Sequence, residues 1–162
     1  MNQEYEFSFK VKSITPFTEY CKRNHYELKK DSKQTRILYE NGGKVMARIT
    51  KNTYHDKEIE SLDLKDCDVS DHILKVRRET KELIITDENR DFVESLLDIF
   101  ELKETKKLIR KRYVYQKNSV TFEIDHYLSP MMNVVAIEGK KEEVDVVYQE
   151  LKNVIASTIV NE

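Results

Sequence analysis

The stretch LIRKRYVYQKNSVTFEID, residues 108–125, indicates the fold class of this chain. Polar and apolar side chains alternate on both sides of its central KNS, a sequence typical of a hairpin turn. The polar face of the first half carries Arg110 and Arg112, and the polar face of the second half carries Glu123 and Asp125. The stretch therefore predicts two antiparallel strands, each with one apolar face and one strongly charged face.

The same alternation recurs along the rest of the chain and predicts about eight or nine strands in total. In the first segment Tyr5, Phe7 and Phe9 share one face, while polar and charged residues occupy the other. The sequence Asn41-Gly42-Gly43 is a second hairpin signal. The remaining strands are expected near residues 4–12, 33–40, 44–50, 61–65, 74–79, 82–86 and 133–139.

Three segments have the period of amphipathic helices instead. Pro16 is well placed at the start of the first helix, with Phe17 and Tyr20 on its apolar face. The second and third helices have apolar stripes within residues 92–100 and 144–155. Such stripes must be buried against another apolar surface, and the apolar faces of the strands supply one.

The charged faces of the strands could simply face water, which is common in antiparallel sheets. If helices cover the apolar side, however, a twisted sheet of about eight strands tends to curl and close, so that its charged face becomes a lumen. Charges in such a lumen must pair with each other or bind a ligand. We therefore expect an α+β fold, in which helices pack outside a closed or nearly closed eight-stranded antiparallel β-barrel.

The order of the charged motifs resembles that of the CYTH proteins, a family that includes class IV adenylate cyclases, thiamine triphosphatases and inorganic triphosphatases. Glu6-x-Ser8-x-Lys10 is similar to the ExExK strand that opens the family pattern. Later segments resemble an RxR strand, a strand with a phosphate-binding lysine, a K/RxR strand and two acidic strands. In chain order they are Met46-Ala47-Arg48, Leu62-Asp63-Leu64-Lys65, Arg110-Lys111-Arg112, Phe122-Glu123-Ile124-Asp125 and Val135-Ala136-Ile137-Glu138.

The resemblance implies a triphosphate tunnel, in which acidic residues hold one or two divalent cations, Mg²⁺ or Mn²⁺, and basic residues bind a triphosphate. The implied metal ligands are Glu6, Glu123, Asp125 and Glu138, with Glu4 as a further candidate. The expected triphosphate-binding residues are Lys10, Arg48, Lys65, Arg110 and Arg112, joined by Lys75 and Arg77 from the charged face of their strand. Lys65, Arg110 and Arg112 would also act in catalysis, by stabilising the charge of phosphoryl transfer.

Three positions lack a charge that the family pattern carries. They are Ser8 in the ExExK strand, Met46 in the RxR strand and Ala136 in the last acidic strand. In an alternative alignment Glu4 and Glu6 are the two acids, Ser8 takes the lysine position and Lys10 falls outside the motif. We prefer the first alignment because Val11-Lys12 after it also suits the pattern. The lost charges could shift the substrate, alter the metal count or abolish catalysis.

We therefore expect a metal-dependent phosphohydrolase that acts on inorganic triphosphate or on a nucleoside or other organic triphosphate. Two alternatives stay open. One is a class IV type of adenylate cyclase, in which a ribose hydroxyl replaces water as the nucleophile. The other is a barrel that binds nucleotide or polyphosphate without turnover, which the three lost charges favour.

Composition limits the other possibilities. The chain suits a single CYTH-like domain spanning 1–162, and 28 basic against 30 acidic side chains leave a net charge of −2, unlike most nucleic-acid binders. No apolar segment suits a membrane span or a signal peptide. Cys21, Cys67 and four scattered histidines, His72 among them, lack metal-site spacing. We expect a cytoplasmic monomer or homodimer that binds a small-molecule triphosphate or polyphosphate, and neither nucleic acid nor membrane.

Overall fold

The computed structural model describes residues 2–68 and 73–160, so His72 lies outside the described residues. The strands are β1 (Asn2–Val11), β2 (Glu27–Glu40), β3 (Val45–Tyr54), β4 (Lys57–Asp66), β5 (Leu74–Glu79), β6 (Leu83–Ile84), β7 (Lys103–Lys117), β8 (Val120–Ser129) and β9 (Met131–Glu138). The helices are α1 (Thr15–Arg23), α2 (Arg90–Ile99) and α3 (Lys141–Thr158). None of these three helices combines the length and the apolar character that crossing a membrane requires.

Eight of the strands form a closed antiparallel barrel, as predicted. Their order around the barrel is β1, β5, β4, β3, β2, β7, β8 and β9, and β9 pairs again with β1. The short strand β6 is an addition that pairs with β4. Because a ring of eight has four steps between opposite members, β1 lies across the lumen from β2, and β9 lies across from β3.

The hairpin at residues 108–125 is present as β7 and β8, with Asn118 in the left-handed conformation that its turn requires. Several strands are longer than predicted, and β2 is extended the most, since it begins at Glu27 rather than near residue 33. Residues 27–32 are mostly polar, which hides the alternation by which the rest of β2 was recognised.

The apolar faces of the strands point outward and are covered by the helices. One core, between α1, α3 and the strands beneath them, includes Phe9, Phe17, Phe122, Ile137, Val144 and Leu151. A second core lies under α2 and includes Ala47, Leu62, Val93 and Leu97. Each fully buried side chain of this size stabilises the fold by roughly 1.5–3 kcal/mol. Outward apolar packing leaves the charged faces to the lumen.

The end of the chain completes the edge of β1. Strand β5 pairs with β1 only as far as Phe7, and beyond that point Ile159 forms a β-bridge with Val11. The Val160 N–H donates to the Lys10 carbonyl oxygen at 3.0 Å. The last part of β1 is therefore paired with residues after α3 instead of with β5.

Candidate functional site

The barrel lumen holds a cavity of about 470 Å³, whose described lining includes eight acidic and eight basic side chains. The acids are Glu4, Glu6, Asp63, Glu79, Glu82, Glu123, Asp125 and Glu138. The bases are Lys30, Arg36, Arg48, Lys65, Arg77, Lys81, Arg110 and Arg112. The bases would attract an anionic ligand, but an equal number of acids would repel it. The lining therefore suits a ligand that carries charges of both signs.

Three carboxylates converge on one wall of this cavity. Glu4 and Glu6 belong to β1 and Glu138 to β9, and one oxygen of each lies within 4.8 Å of the others. They meet because alternate residues of a strand share a face, and because Glu6 and Glu138 are partners in the β1–β9 register. We call these three residues the carboxylate triad.

Burial and mutual repulsion change the protonation of the carboxylate triad. Burial and the charges of neighbouring carboxylates, chiefly Glu123, raise the pKa of Glu138 to about 11. Burial and the charge of Glu4 raise the pKa of Glu6 to about 7. Burial acts in the same sense on Glu4, but hydrogen bonds from Glu138 and Glu6 and the charge of Lys65 lower its pKa. A cation here would replace protons that the carboxylates otherwise retain.

The donor set of the carboxylate triad fits a hard divalent cation, because carboxylate oxygens are the ligands that Mg²⁺ and Mn²⁺ prefer. Glu4 Oε2 lies 2.8 Å from Lys65 Nζ, yet this buried oxygen accepts no hydrogen bond of good geometry. Lys65 and Arg77 also lie 3.8 Å and 3.4 Å from Glu6 Oε2, so they offset part of the charge. The unsatisfied oxygen is an acceptor that a metal ion can use.

Arg36 lines the same cavity from β2, the strand across the lumen from β1. Its Nε donates to Thr50 Oγ1 at 3.0 Å, and no carboxylate oxygen of the described residues lies within 4 Å of its charged nitrogens. Burial and repulsion from Arg110, Arg48 and Arg112 lower its pKa well below the ordinary value. Arg36 is therefore a lumen cation that an anionic ligand would stabilise.

Arg112, in contrast, is fully engaged by carboxylates. Its Nε and Nη2 donate to the two oxygens of Asp125 at 2.7 and 2.8 Å, and its Nη1 contacts Glu123. Burial disfavours the Glu123 carboxylate, but the charges of Arg112 and other bases lower its pKa to about 2. Arg48 forms a similar double contact with Asp63. These arginines are neutralised by the protein itself.

Within the described part of the chain, one nitrogen of Arg110 has no hydrogen-bond partner. Its Nε donates to Gln34 Oε1 and its Nη1 to the Tyr127 hydroxyl, both at 2.6 Å. Its Nη2 is buried and makes no hydrogen bond, and the same holds for Nε of Arg77. Burying a charged donor without an acceptor costs free energy, and phosphoryl oxygens would accept hydrogen bonds from these nitrogens.

The lumen contains most of the residues expected there, but not Lys10 or Lys75. The five other predicted bases and all five predicted carboxylates line the cavity. Lys10 is exposed near the end of β1, and Lys75, at the start of β5, pairs with Asp68 at 2.8 Å. Lys75 is the register partner of Glu6, and Lys10 is that of Val134, but neither lysine is among the residues that line the cavity. Their role in binding triphosphate stays a prediction.

The structure also separates the expected metal ligands into two groups. Glu6 and Glu138 lie in the carboxylate triad with Glu4, whereas Glu123 and Asp125 contact Arg112. This geometry agrees with the alternative alignment, in which Glu4 and Glu6 are the paired acids of the first strand. Of the preferred alignment, Glu6 and Ser8 line the lumen, whereas Lys10 is not among the lining residues.

Several lining residues were missed from the sequence, among them Gln34, Arg36 and Tyr127. A signal for Arg36 existed, because Ile37 and Tyr39 share one face of β2, and Tyr39 packs against the core under α2. Arg36 lies on the opposite face, which points inward. Gln34 and Tyr127 carry no charge, and neither residue type indicates a phosphate site by itself.

No protein-family model and no curated protein matches this sequence. Solved structures nevertheless share its fold. A Hippeastrum protein, described as a candidate adenylyl cyclase with a dominant triphosphatase activity, is 15% identical with a TM-score of 0.63, over 95% of this chain and 87% of that one. A candidate adenylate cyclase from Bacillus halodurans is 17% identical with a TM-score of 0.62, over 100% and 95%.

The fold also occurs in a protein of another description. A chain in the structure of the Schizosaccharomyces pombe Mediator head module is 10% identical with a TM-score of 0.63, over 98% of this chain and 97% of that one. At such identities the likeness concerns the fold alone. The closed eight-stranded barrel that the sequence motifs implied is confirmed, and the activity has to be argued from the lumen.

Proposed function

We propose that this protein binds a triphosphate with a divalent cation inside the barrel and hydrolyses it. The supporting observation is the position of two sets of charged groups that contacts within the protein compensate only in part. The carboxylate triad lies on β1 and β9, and Arg36 lies on β2 across the lumen. A metal–triphosphate complex carries a cation for the first and phosphoryl oxygens for the second.

The chain's own residues would bind and orient the phosphates. Arg36 and Nη2 of Arg110 would donate to phosphoryl oxygens, and their charge would stabilise the charge that spreads over these oxygens in the transition state. Glu4, Glu6 and Glu138 would hold Mg²⁺ or Mn²⁺, which supplies a Lewis acid when bound. Lys65, beside the carboxylate triad, would contact the phosphate nearest to it.

The hydrolysis itself is a displacement at the terminal phosphorus. A water oxygen forms the new bond to phosphorus, and the bond from phosphorus to the bridging oxygen breaks. The bridging oxygen leaves with the diphosphate, and the proton of the attacking water passes to solvent. If a ribose hydroxyl attacked the first phosphorus instead, the products would be a cyclic nucleotide and diphosphate.

Binding without turnover is a second candidate function, which the internal ion pairs favour. Arg112 donates to Asp125 and Glu123, and Arg48 donates to Asp63. These bases therefore have fewer free donors with which to stabilise the charge of a transition state. Ala136 contributes no carboxylate beside the triad. Such a lumen could hold a metal–triphosphate complex without activating water.

Phosphate release from inorganic triphosphate and from ATP, with Mg²⁺ or Mn²⁺, tests the proposal. We expect turnover that EDTA abolishes, and at least about a hundredfold loss of kcat/KM in Glu138→Gln and Arg36→Gln. Glu58→Gln, on the exposed part of β4, is the control and should keep full activity. Calorimetric binding without phosphate release would support the second candidate, and release of cyclic AMP the cyclase. If the protein showed neither binding nor turnover of these compounds, the proposal would be overturned.

A further inference from the structure

One strip of the cavity wall carries no charge. Ser8 on β1 is the register partner of Ala136 on β9, and Val134 lies on the same face two residues before Ala136. We call these three residues the neutral wall. It borders the carboxylate triad, because Glu6 lies two residues before Ser8, and Glu138 two residues after Ala136.

The neutral wall stays neutral because the neighbouring acids are held elsewhere. On β8, Glu123 is the register partner of Ala136, and Asp125 is the partner of Val134. Arg112 binds both of these carboxylates, so they are directed away from the strip. Small side chains at Ser8 and Ala136 also leave more room than the lysine and glutamate of the family pattern would leave.

A phosphate group gains little at this strip. The charged phosphate would lose hydrating water there. Of the three side chains of the neutral wall, only the Ser8 hydroxyl could donate a hydrogen bond in its place. An uncharged organic group loses no charge hydration there, and it would cover the apolar surface of Val134 and Ala136. The strip therefore suits the part of a ligand that is not phosphate.

We propose that the neutral wall holds the organic group of an organic triphosphate, so that the substrate is an ester of triphosphate rather than inorganic triphosphate. This inference rests on the proposed function, because the phosphates must then extend toward Arg36 on the opposite wall. Ser8 and Ala136 are specificity-determining positions in this arrangement, and the loss of both charges made the space for the organic group.

The test compares kcat/KM for ATP with kcat/KM for inorganic triphosphate, both with Mn²⁺. The wild type should favour ATP. Ala136→Leu fills the neutral wall and should lower the ATP-to-triphosphate ratio by about tenfold or more, because a pocket rejects an added group of this size. Val114→Leu is the control, since Val114 lines the cavity on β7 across Glu123 from the neutral wall, and it should leave the ratio unchanged.

Ser8→Lys provides a second variant in case the leucine at the buried position 136 prevents folding. A lysine on the neutral wall should favour inorganic triphosphate, and should therefore lower the same ratio. If the protein binds without turnover, the ratio of the two Kd values replaces the ratio of kcat/KM.

The outcomes separate this inference from the proposed function. A wild type that prefers inorganic triphosphate, or a ratio that neither Ala136→Leu nor Ser8→Lys lowers, would show that the inference is wrong while the proposed function stands. If the wild type neither binds nor hydrolyses either compound, both this inference and the proposed function are wrong.

Discussion

The Arg112 guanidinium holds both carboxylate oxygens of Asp125, at 2.7 and 2.8 Å, across the β7–β8 hairpin. The two residues are direct register partners, and Asp125 is only 3% exposed. Bidentate pairs of this kind are among the stronger hydrogen-bonded contacts in proteins. This pair is therefore part of the barrel structure before any ligand enters.

Asp125→Asn should destabilise the protein by about 3–5 kcal/mol, because it leaves the buried Arg112 charge partly uncompensated. The midpoint of urea unfolding measures the loss. The control is Asp66→Asn, which breaks an equally well-formed pair with Arg78 on the exposed side of the sheet. Its effect should be much smaller, since water solvates both partners. Equal losses at the two sites would contradict the structural role of the lumen pair.

Arg36→Met should weaken triphosphate binding and make the free protein more stable. Arg36 has no carboxylate partner among the described residues and is repelled by three other arginines, so replacing its charge with an apolar side chain relieves an unfavourable interaction. The positive charge of Arg36 is proposed to bind the triphosphate, so its loss should weaken triphosphate affinity by about tenfold or more.

Thermal unfolding and calorimetric titration with Mn²⁺ and triphosphate measure the two effects of Arg36→Met. Lys51→Met, on the exposed surface of the adjacent strand, is the matched control and should change neither quantity. A variant that is less stable than the wild type and binds triphosphate equally well would contradict this account of Arg36.

The barrel could be predicted because its alternation is local. Phe122 and Ile124 are fully buried under the helices, while Glu123 and Asp125 between and beside them face the lumen, as their spacing required. The Arg112–Asp125 pair is also local, since a short hairpin brings the two strands together. The facing of these side chains and the Arg112–Asp125 pair can therefore be predicted without knowing how the sheet closes.

The composition of the carboxylate triad could not be predicted in the same way. Glu4 and Glu138 meet only because the first strand pairs with the last, and no local sequence pattern indicates a pairing between segments so far apart in the chain. Alternation alone predicted Lys10 in the lumen, because it indicates the face of a strand and not how exposed each side chain on that face is. Arg36 was missed within a strand whose first half has polar residues on both faces.

The metal-free protein should lose stability as the pH rises from 5 to 9. Unfolded glutamates have pKa values near 4.5, whereas the folded pKa is about 7 for Glu6 and about 11 for Glu138. The folded state therefore holds more protons than the unfolded state in this range, and each extra proton lowers stability by up to about 1.4 kcal/mol per pH unit. The lowered pKa of Glu123 acts only at more acidic pH.

Thermal unfolding in EDTA across this pH range measures the effect. Glu138→Gln should flatten the curve, because its side chain has no proton to release, and the exposed Glu58→Gln should leave it unchanged. Added Mn²⁺ should stabilise the wild type more at pH 8 than at pH 6, because the ion displaces the retained protons. Stability that rises with pH in EDTA would contradict the protonation of the carboxylate triad.

Gly139, directly after Glu138, should be harder to replace than Gly42 in the β2–β3 turn. Both have the positive φ that favours glycine, 147° and 81°, so an alanine at either position should cost about 1 kcal/mol or more. Apart from Gly42 itself and its two chain neighbours, no atom of residues 2–68 or 73–160 lies within 4 Å of a Cβ added at Gly42, whereas one at Gly139 would lie 2.3 Å from the Ser119 carbonyl oxygen. Gly139→Ala must therefore also move backbone.

That movement should reach the carboxylate triad. The Gly139 N–H donates to the Tyr5 carbonyl oxygen at 3.2 Å, so this residue fixes the end of β9 against β1, where Glu138 meets Glu4 and Glu6. Gly139→Ala should thus weaken both unfolding stability and Mn²⁺ affinity, while Gly42→Ala should weaken stability alone. Urea unfolding and calorimetry distinguish the two. Unchanged Mn²⁺ affinity in a folded Gly139→Ala variant would show that the position of Glu138 does not depend on this junction.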